Sequence, residues 1–162
     1  MKTCMMAVLL LQALACMQHK SNTGITGADK ASLEVLNGNY RKFWLENDST
    51  KVVNLFSDEG AIVPPGNKGD IVKGKKAIGA RWFTKNGDTT YPITKFEYNS
   101  LLLTASGTLA TWEGTADFGW NTMAGQKQIS THTSTTNFIT VCRKEGAEWK
   151  IYRQIWNVKP SK

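Results

Sequence analysis

The chain has 162 residues, 41% of them hydrophobic and 20% charged, with 20 Lys+Arg against 13 Asp+Glu for a net charge of +7. That size fits one domain, which buries roughly two-thirds of its surface on folding and needs no metal or disulfide to hold a core. The composition excludes wholesale disorder, and the basic residues are too scattered for a nucleic-acid footprint. The densest group, Lys68, Lys73, Lys75 and Lys76, sits in a Gly-broken loop and reads as a solvated surface.

The first fifteen residues read as a signal segment. Lys2 precedes an apolar run, Cys4 to Ala15, interrupted only by Gln12. The run is shorter than the ~20 residues that span a bilayer and has the proportions of a secretory signal. It ends Ala13-Leu14-Ala15-Cys16, which resembles a bacterial lipobox with Ala13 where Leu is usual. Residues 16–28 then form a polar tether without periodicity. The expectation is an exported protein anchored to a membrane only through lipid on Cys16. A plain cleaved signal, or a chance apolar start, is the alternative. Cys4 would leave with the signal and Cys16 would carry lipid, so Cys142 would have no disulfide partner.

In the mature chain, residues 29–159 read as the folded domain. Leu33, Leu36, Tyr40, Phe43 and Trp44 recur at helical spacing, predicting a helix from about Asp29, its N-cap, to Asn47. Ser49 can cap a second short helix carrying Val52, Val53, Leu55 and Phe56. Ala61-Ile62-Val63 reads as a short strand stopped by Pro64-Pro65, and Gly66 to Asp70 as a loop. Gly74 opens a third helix with Ile78 and Trp82 on one face. Four long strand-like runs follow, Ile93–Thr104, Thr108–Trp120, Lys127–Arg143 and Glu148–Lys159, separated by Gly-containing turns. Helices followed by an antiparallel meander predict an α+β fold.

The second of these runs alternates cleanly. Ala110, Trp112, Gly114, Ala116, Phe118 and Trp120 share one face, which should meet the helices. Small residues between aromatics leave room for a pocket beneath a curved sheet, unless the helices fill it.

The order Tyr40, Leu55-Phe56-Ser57-Asp58-Glu59-Gly60-Ala61, Pro65, Val72-Lys73-Gly74-Lys75-Lys76-Ala77-Ile78 and Trp149 to Asn157 resembles the nuclear transport factor 2-like superfamily, in its SnoaL-like and ketosteroid-isomerase-like branch. The resemblance implies a cone: a curved antiparallel sheet with N-terminal helices on its concave face, a cavity between, and often homodimers through the outer face. It implies that Trp82, Ala110, Trp112, Gly114, Ala116, Tyr152, Gln154 and Trp156 contact a ligand. It also matches Tyr40 to the tyrosine that donates a hydrogen bond to the enolate in the isomerases, although a core tyrosine on an apolar helix stripe fits equally. The isomerases' base corresponds to Pro64, which has no ionisable group, and their supporting tyrosine to Trp82. Their second acid falls within Asn137 to Thr140, where no carboxylate occurs.

Other chemistry is sparse. His132 has only Asp117 as a possible dyad partner on a neighbouring strand, and Asp117 falls on the face opposite the pocket, so His132 reads as structural or exposed. Asp58-Glu59 reads as a solvent-facing pair at a helix-to-strand turn. No metal-ligand spacing or phosphate loop is present, and no cofactor is expected. The expected function is binding of a small apolar or aromatic molecule. An isomerase-, cyclase- or hydratase-type enzyme with an unidentified base is one alternative, and a non-catalytic dimerisation module the other.

Overall fold

The computed structural model describes residues 24–66, 70–83 and 87–160. The expected signal segment, Cys16, most of the tether and residues 67–69 of the expected loop lie outside the described residues. The elements run α1 (Gly27–Leu45), α2 (Ser49–Asn54), β1 (Phe56–Val63), β2 (Val72–Lys73), α3 (Lys75–Phe83), β3 (Thr89–Thr90), β4 (Ile93–Ser106), β5 (Leu109–Ala124), β6 (Lys127–Glu145) and β7 (Glu148–Val158). Among the described residues no helix is long and apolar enough to cross a membrane.

Helix α1 begins earlier than its hydrophobic stripe suggests. Its N-cap is Thr26, not Asp29: the Thr26 hydroxyl accepts the Asp29 N–H at 3.0 Å, while the Asp29 carboxylate accepts the Thr26 N–H at 3.2 Å. This reciprocal pair is a capping box with Asp at the third helical position. The last residues of the expected tether, Gly27 and Ala28, are therefore helical. Asp29, Leu33, Leu36 and Tyr40 form the buried face, one or two residues per turn. Asn47, at φ 55°, turns the chain out of α1. Its side chain accepts the Ile93 N–H at 2.7 Å and donates to the Ile93 carbonyl at 3.3 Å, fastening the end of α1 to the start of β4.

The strands make one seven-stranded sheet ordered β2-β1-β7-β6-β5, with β4 and then β3 along the outer edge of β5. The meander β4 to β7 is antiparallel, whereas β1 runs parallel to β7. The cone is thus a mixed sheet, with α1 and α3 packed on its concave face. Phe56, expected at the end of the second helix, instead opens β1 and is fully buried. The strand bulges between Phe56 and Ala61. Gly60 is required there, because a Cβ would come within 2.8 Å of the Ser57 carbonyl oxygen.

The two ends of the cone differ. At one end Leu33, Val52 and Ile62 are packed without exposure. Asp29 closes this end, accepting from the Trp149 indole N–H at 3.0 Å and pairing with Lys144 Nζ at 2.7 Å. Between the helices and the sheet lies a cavity.

Candidate functional site

The cavity has a volume of about 270 Å³ and lies between α1, α3 and the concave faces of β4 to β7. Exposure sorts its wall into a floor and a mouth. Tyr40, Trp112, Ala116, Thr140, Cys142 and Gln154 are buried and form the floor; Trp82, Ile93, Trp120, Ser134 and Trp156 are half-buried and Val158 exposed, at the mouth. Among the described residues no Asp, Glu, His, Lys or Arg lines it.

Strand register explains how the polar floor is assembled. Trp112 on β5 pairs with Thr140 on β6, and Thr140 with Gln154 on β7. The three therefore form one row across the concave face. Tyr40 reaches down from α1 and donates its hydroxyl proton to Gln154 Oε1 at 3.0 Å; Gln154 Nε2 donates to Thr140 Oγ1 at 3.3 Å. On one side of this row lie Ala110, Cys142 and Ile151, and on the other Phe138 and Trp156.

Around the row the wall is aromatic. Trp82 packs against Trp44 at 5.2 Å, Phe56 at 5.6 Å and Trp156 at 6.0 Å between ring centroids, mostly edge to face. Phe96 sits between Tyr40 and Phe118, at 5.9 and 4.2 Å. Tyr98 donates its hydroxyl to Asn37 Oδ1 at 2.8 Å, tying α1 to β4 beside the cavity.

Burial keeps these groups neutral. It pushes the Tyr40 phenol up to about 12, against a smaller opposing effect of the Gln154 hydrogen bond. It raises Tyr98 further, with Tyr40 adding to the effect, and pushes the Cys142 thiol up to about 12. Cys142 is thus an inert wall group, not a thiolate nucleophile.

Of the residues expected from the sequence, Tyr40, Trp82, Trp112, Ala116, Gln154 and Trp156 line this one cavity. Ala110 is buried in the core beside the floor but does not line it. Gly114 and Tyr152 depart from expectation for the same physical reason, a bulge in the sheet. In β4 the register slips between Tyr98 and Ser100, which brings the Ser100 carbonyl against Gly114, so that a Cβ there would strike it. Gly114 is needed for a close backbone approach, not for cavity space. In β7 the register slips opposite Val141 and Cys142, leaving Tyr152 as the extra residue. Its ring turns outward between two guanidinium groups, 4.1 Å from Arg143 and 3.6 Å from Arg153.

Pro64 is buried at the end of β1 and is not part of the wall. His132 stacks on Trp120 with ring centroids 5.2 Å apart, its Nε2 within 2.8 Å of Ser130 Oγ and 3.1 Å of Thr122 Oγ1. Asp117 is engaged elsewhere, by Thr135 at 2.7 Å and Asn99 at 2.9 Å, so the two form no dyad. Asp58 and Glu59 face solvent and pair with Lys75 and Arg143. Among the described residues no group of three or more His, Cys, Asp or Glu could hold a metal ion.

Thr140, Trp44, Phe96, Tyr98, Phe118 and Trp120 also belong to the wall without having been singled out as ligand contacts. Phe118 and Trp120 continue the alternation of Trp112 and Ala116, and that signal was available. Thr140 carried none, because its place depends on pairing with Trp112 and Gln154.

No protein-family model matches the chain, and no sequence among curated proteins matches it. Solved structures do. A candidate calcium/calmodulin-dependent kinase II association domain from Exiguobacterium sibiricum superposes with a TM-score of 0.66 at 12% identity, over 85% of this chain and 99% of that one. A ketosteroid isomerase-like protein from Erwinia carotovora gives 0.64 at 13% identity, over 84% and 100%. A candidate dehydratase of the nuclear transport factor 2-like family from Streptomyces avermitilis gives 0.65 at 12%, also over 84% and 100%. The chain has the nuclear transport factor 2-like fold. At these identities the likeness carries the fold alone, and function must be argued from the site itself.

Proposed function

We propose that the protein binds a small, uncharged, apolar or aromatic molecule in the cone cavity. The observation that carries this reading is a wall of aromatic and aliphatic side chains with a few convergent polar groups and, among the described residues, no charged one. A charged ligand would lose its hydration there without gaining a partner. Titration of tryptophan fluorescence with naphthalene tests it, because Trp82, Trp112 and Trp156 all line the cavity. A saturable change is expected with naphthalene, and at least about tenfold weaker binding of 2-naphthoate. No saturable change, or a preference for the carboxylate, would overturn the reading.

Among the described residues the wall offers no carboxylate or histidine as a base, so proton transfer at carbon is not part of this proposal. A missing general base typically costs 10²–10⁴-fold in rate. An assay on a β,γ-unsaturated ketone should show no turnover; turnover that Tyr40→Phe removes would make the protein an enzyme. On the convex face the exposed Leu102, Ile139 and Ile155 share one row with Glu113, which supports the homodimer implied by the family resemblance.

The proposed setting is outside the cytoplasm, on a membrane, through lipid on Cys16. Its support is the Ala15-Cys16 junction after a short apolar run. A single acyl chain binds membranes only weakly, so stable anchoring would need more than one. Mass spectrometry should find the mature N-terminus at a modified Cys16, and Cys16→Ser should block processing or release the protein. An unmodified N-terminus at another residue would contradict the anchor.

A further inference from the structure

Buried polar groups are almost always paired, so the exceptions carry information. Among the described residues, the buried side-chain polar atoms without a hydrogen-bond partner are the indole N–H groups of Trp44 and Trp112. Both residues line the cavity. Both orphans are donors; no buried side-chain acceptor is left over. Trp112 stands in the floor of the cavity beside Thr140, whereas Trp44 stands on α1.

The polar row points the same way. Tyr40 gives its proton to Gln154, and Gln154 gives one of its own to Thr140. The proton chain therefore runs away from Tyr40 and along the floor toward β6 and β5. At its end the Thr140 hydroxyl accepts and retains its own proton to donate, next in the row to the unpaired Trp112 N–H. Tyr40, whose proton is already committed, is a positioning residue that holds Gln154.

We propose that the row Trp112–Thr140–Gln154 recognises a hydrogen-bond acceptor, such as a carbonyl oxygen, on an otherwise apolar aromatic ligand. This rests on the reading of the cavity as a binding site. The row is short of acceptors, and a ligand oxygen would supply one. An alkyl group in the same place would leave the donors unpaired.

The experiment compares two nearly isosteric probes, 2-acetylnaphthalene and 2-ethylnaphthalene, by calorimetric or fluorescence titration, with each affinity referred to the probe's water-to-hydrocarbon partition. The acetyl compound should bind about three- to tenfold tighter on that scale, the worth of one net hydrogen bond. Thr140→Val and Trp112→Phe should each bring the ratio of the two dissociation constants toward one, and Thr140→Ser should restore it. Circular dichroism identifies any variant that fails to fold, and for such a variant the wild-type ratio still decides. Equal binding of both probes by the wild type, or an unchanged ratio in both variants, would overturn the acceptor site while leaving the binding cavity standing. Failure of both probes to bind would overturn both.

Discussion

Asp29, under the first turn of α1, and Trp112, in the middle of β5, are 8% and 7% exposed and both carry polar atoms. Asp29 is engaged on every side: Thr26 caps with it, Trp149 donates to it and Lys144 neutralises it. Trp112 has no partner for its N–H. Helix α1 carries Asp29 near its start and, through Leu36, Tyr40 and Trp44, lines the cavity that Trp112 also lines. A closed network binds the helix to the sheet and fixes the cone; an open one, beside empty volume, leaves chemistry for a second molecule.

The comparison can be broken by mutation. The largest effect is expected at the packed end, where Leu33→Ala should cost about 2–5 kcal/mol in denaturant unfolding, since Leu33 is fully buried and its neighbours cannot collapse freely. A loss below about 1 kcal/mol would mean that this end is as loose as the cavity. Next, Thr26→Ala should cost about 1 kcal/mol by removing the N-cap, read from the same transition. At the cavity, Ala116→Leu should cost less than the about 1–3 kcal/mol of overpacking in a filled core, yet abolish naphthalene binding. A large stability loss there would show packed core in place of ligand space. Gly114→Leu should behave oppositely to Ala116→Leu, because its side chain would meet the Ser100 backbone.

The Asp29 network also sets a pH dependence. The Lys144 contact first, then the Thr26 and Trp149 hydrogen bonds, hold the Asp29 carboxyl well below the usual carboxylate range. A depressed folded-state value means that the stabilisation is complete above the unfolded value of about 4 and is lost as pH falls below it. Stability measured against pH should therefore drop less steeply below pH 4 in Asp29→Asn than in the wild type. An equally steep limb in the variant would place the acid sensitivity elsewhere.

The cone and part of its wall were legible because periodicity reports which face of an element is covered. Leu33, Leu36 and Tyr40 gave the helix face, and Trp112 and Ala116 the sheet face. Counting by twos fails wherever a bulge inserts a residue, which is why Tyr152 turns outward and why Gly114 meets a backbone. Phe56 continues the apolar pattern of α2, and only pairing with Ile151 on the distant β7 makes it a strand residue. Thr140 was invisible for a related reason. A threonine on a Thr-rich strand becomes part of a site through its neighbours in the row, and strand register is not written in local sequence.

The central claim is that the cavity is standing ligand space for an uncharged aromatic molecule. The most direct measurement is the melting temperature of the wild type with and without 2-acetylnaphthalene, beside Ala116→Leu. Ligand at a hundred times its dissociation constant stabilises the folded state by about 2.7 kcal/mol, so the wild-type transition should rise by several degrees and that of Ala116→Leu should stay put. No shift in the wild type, or an equal shift in both proteins, would contradict the account.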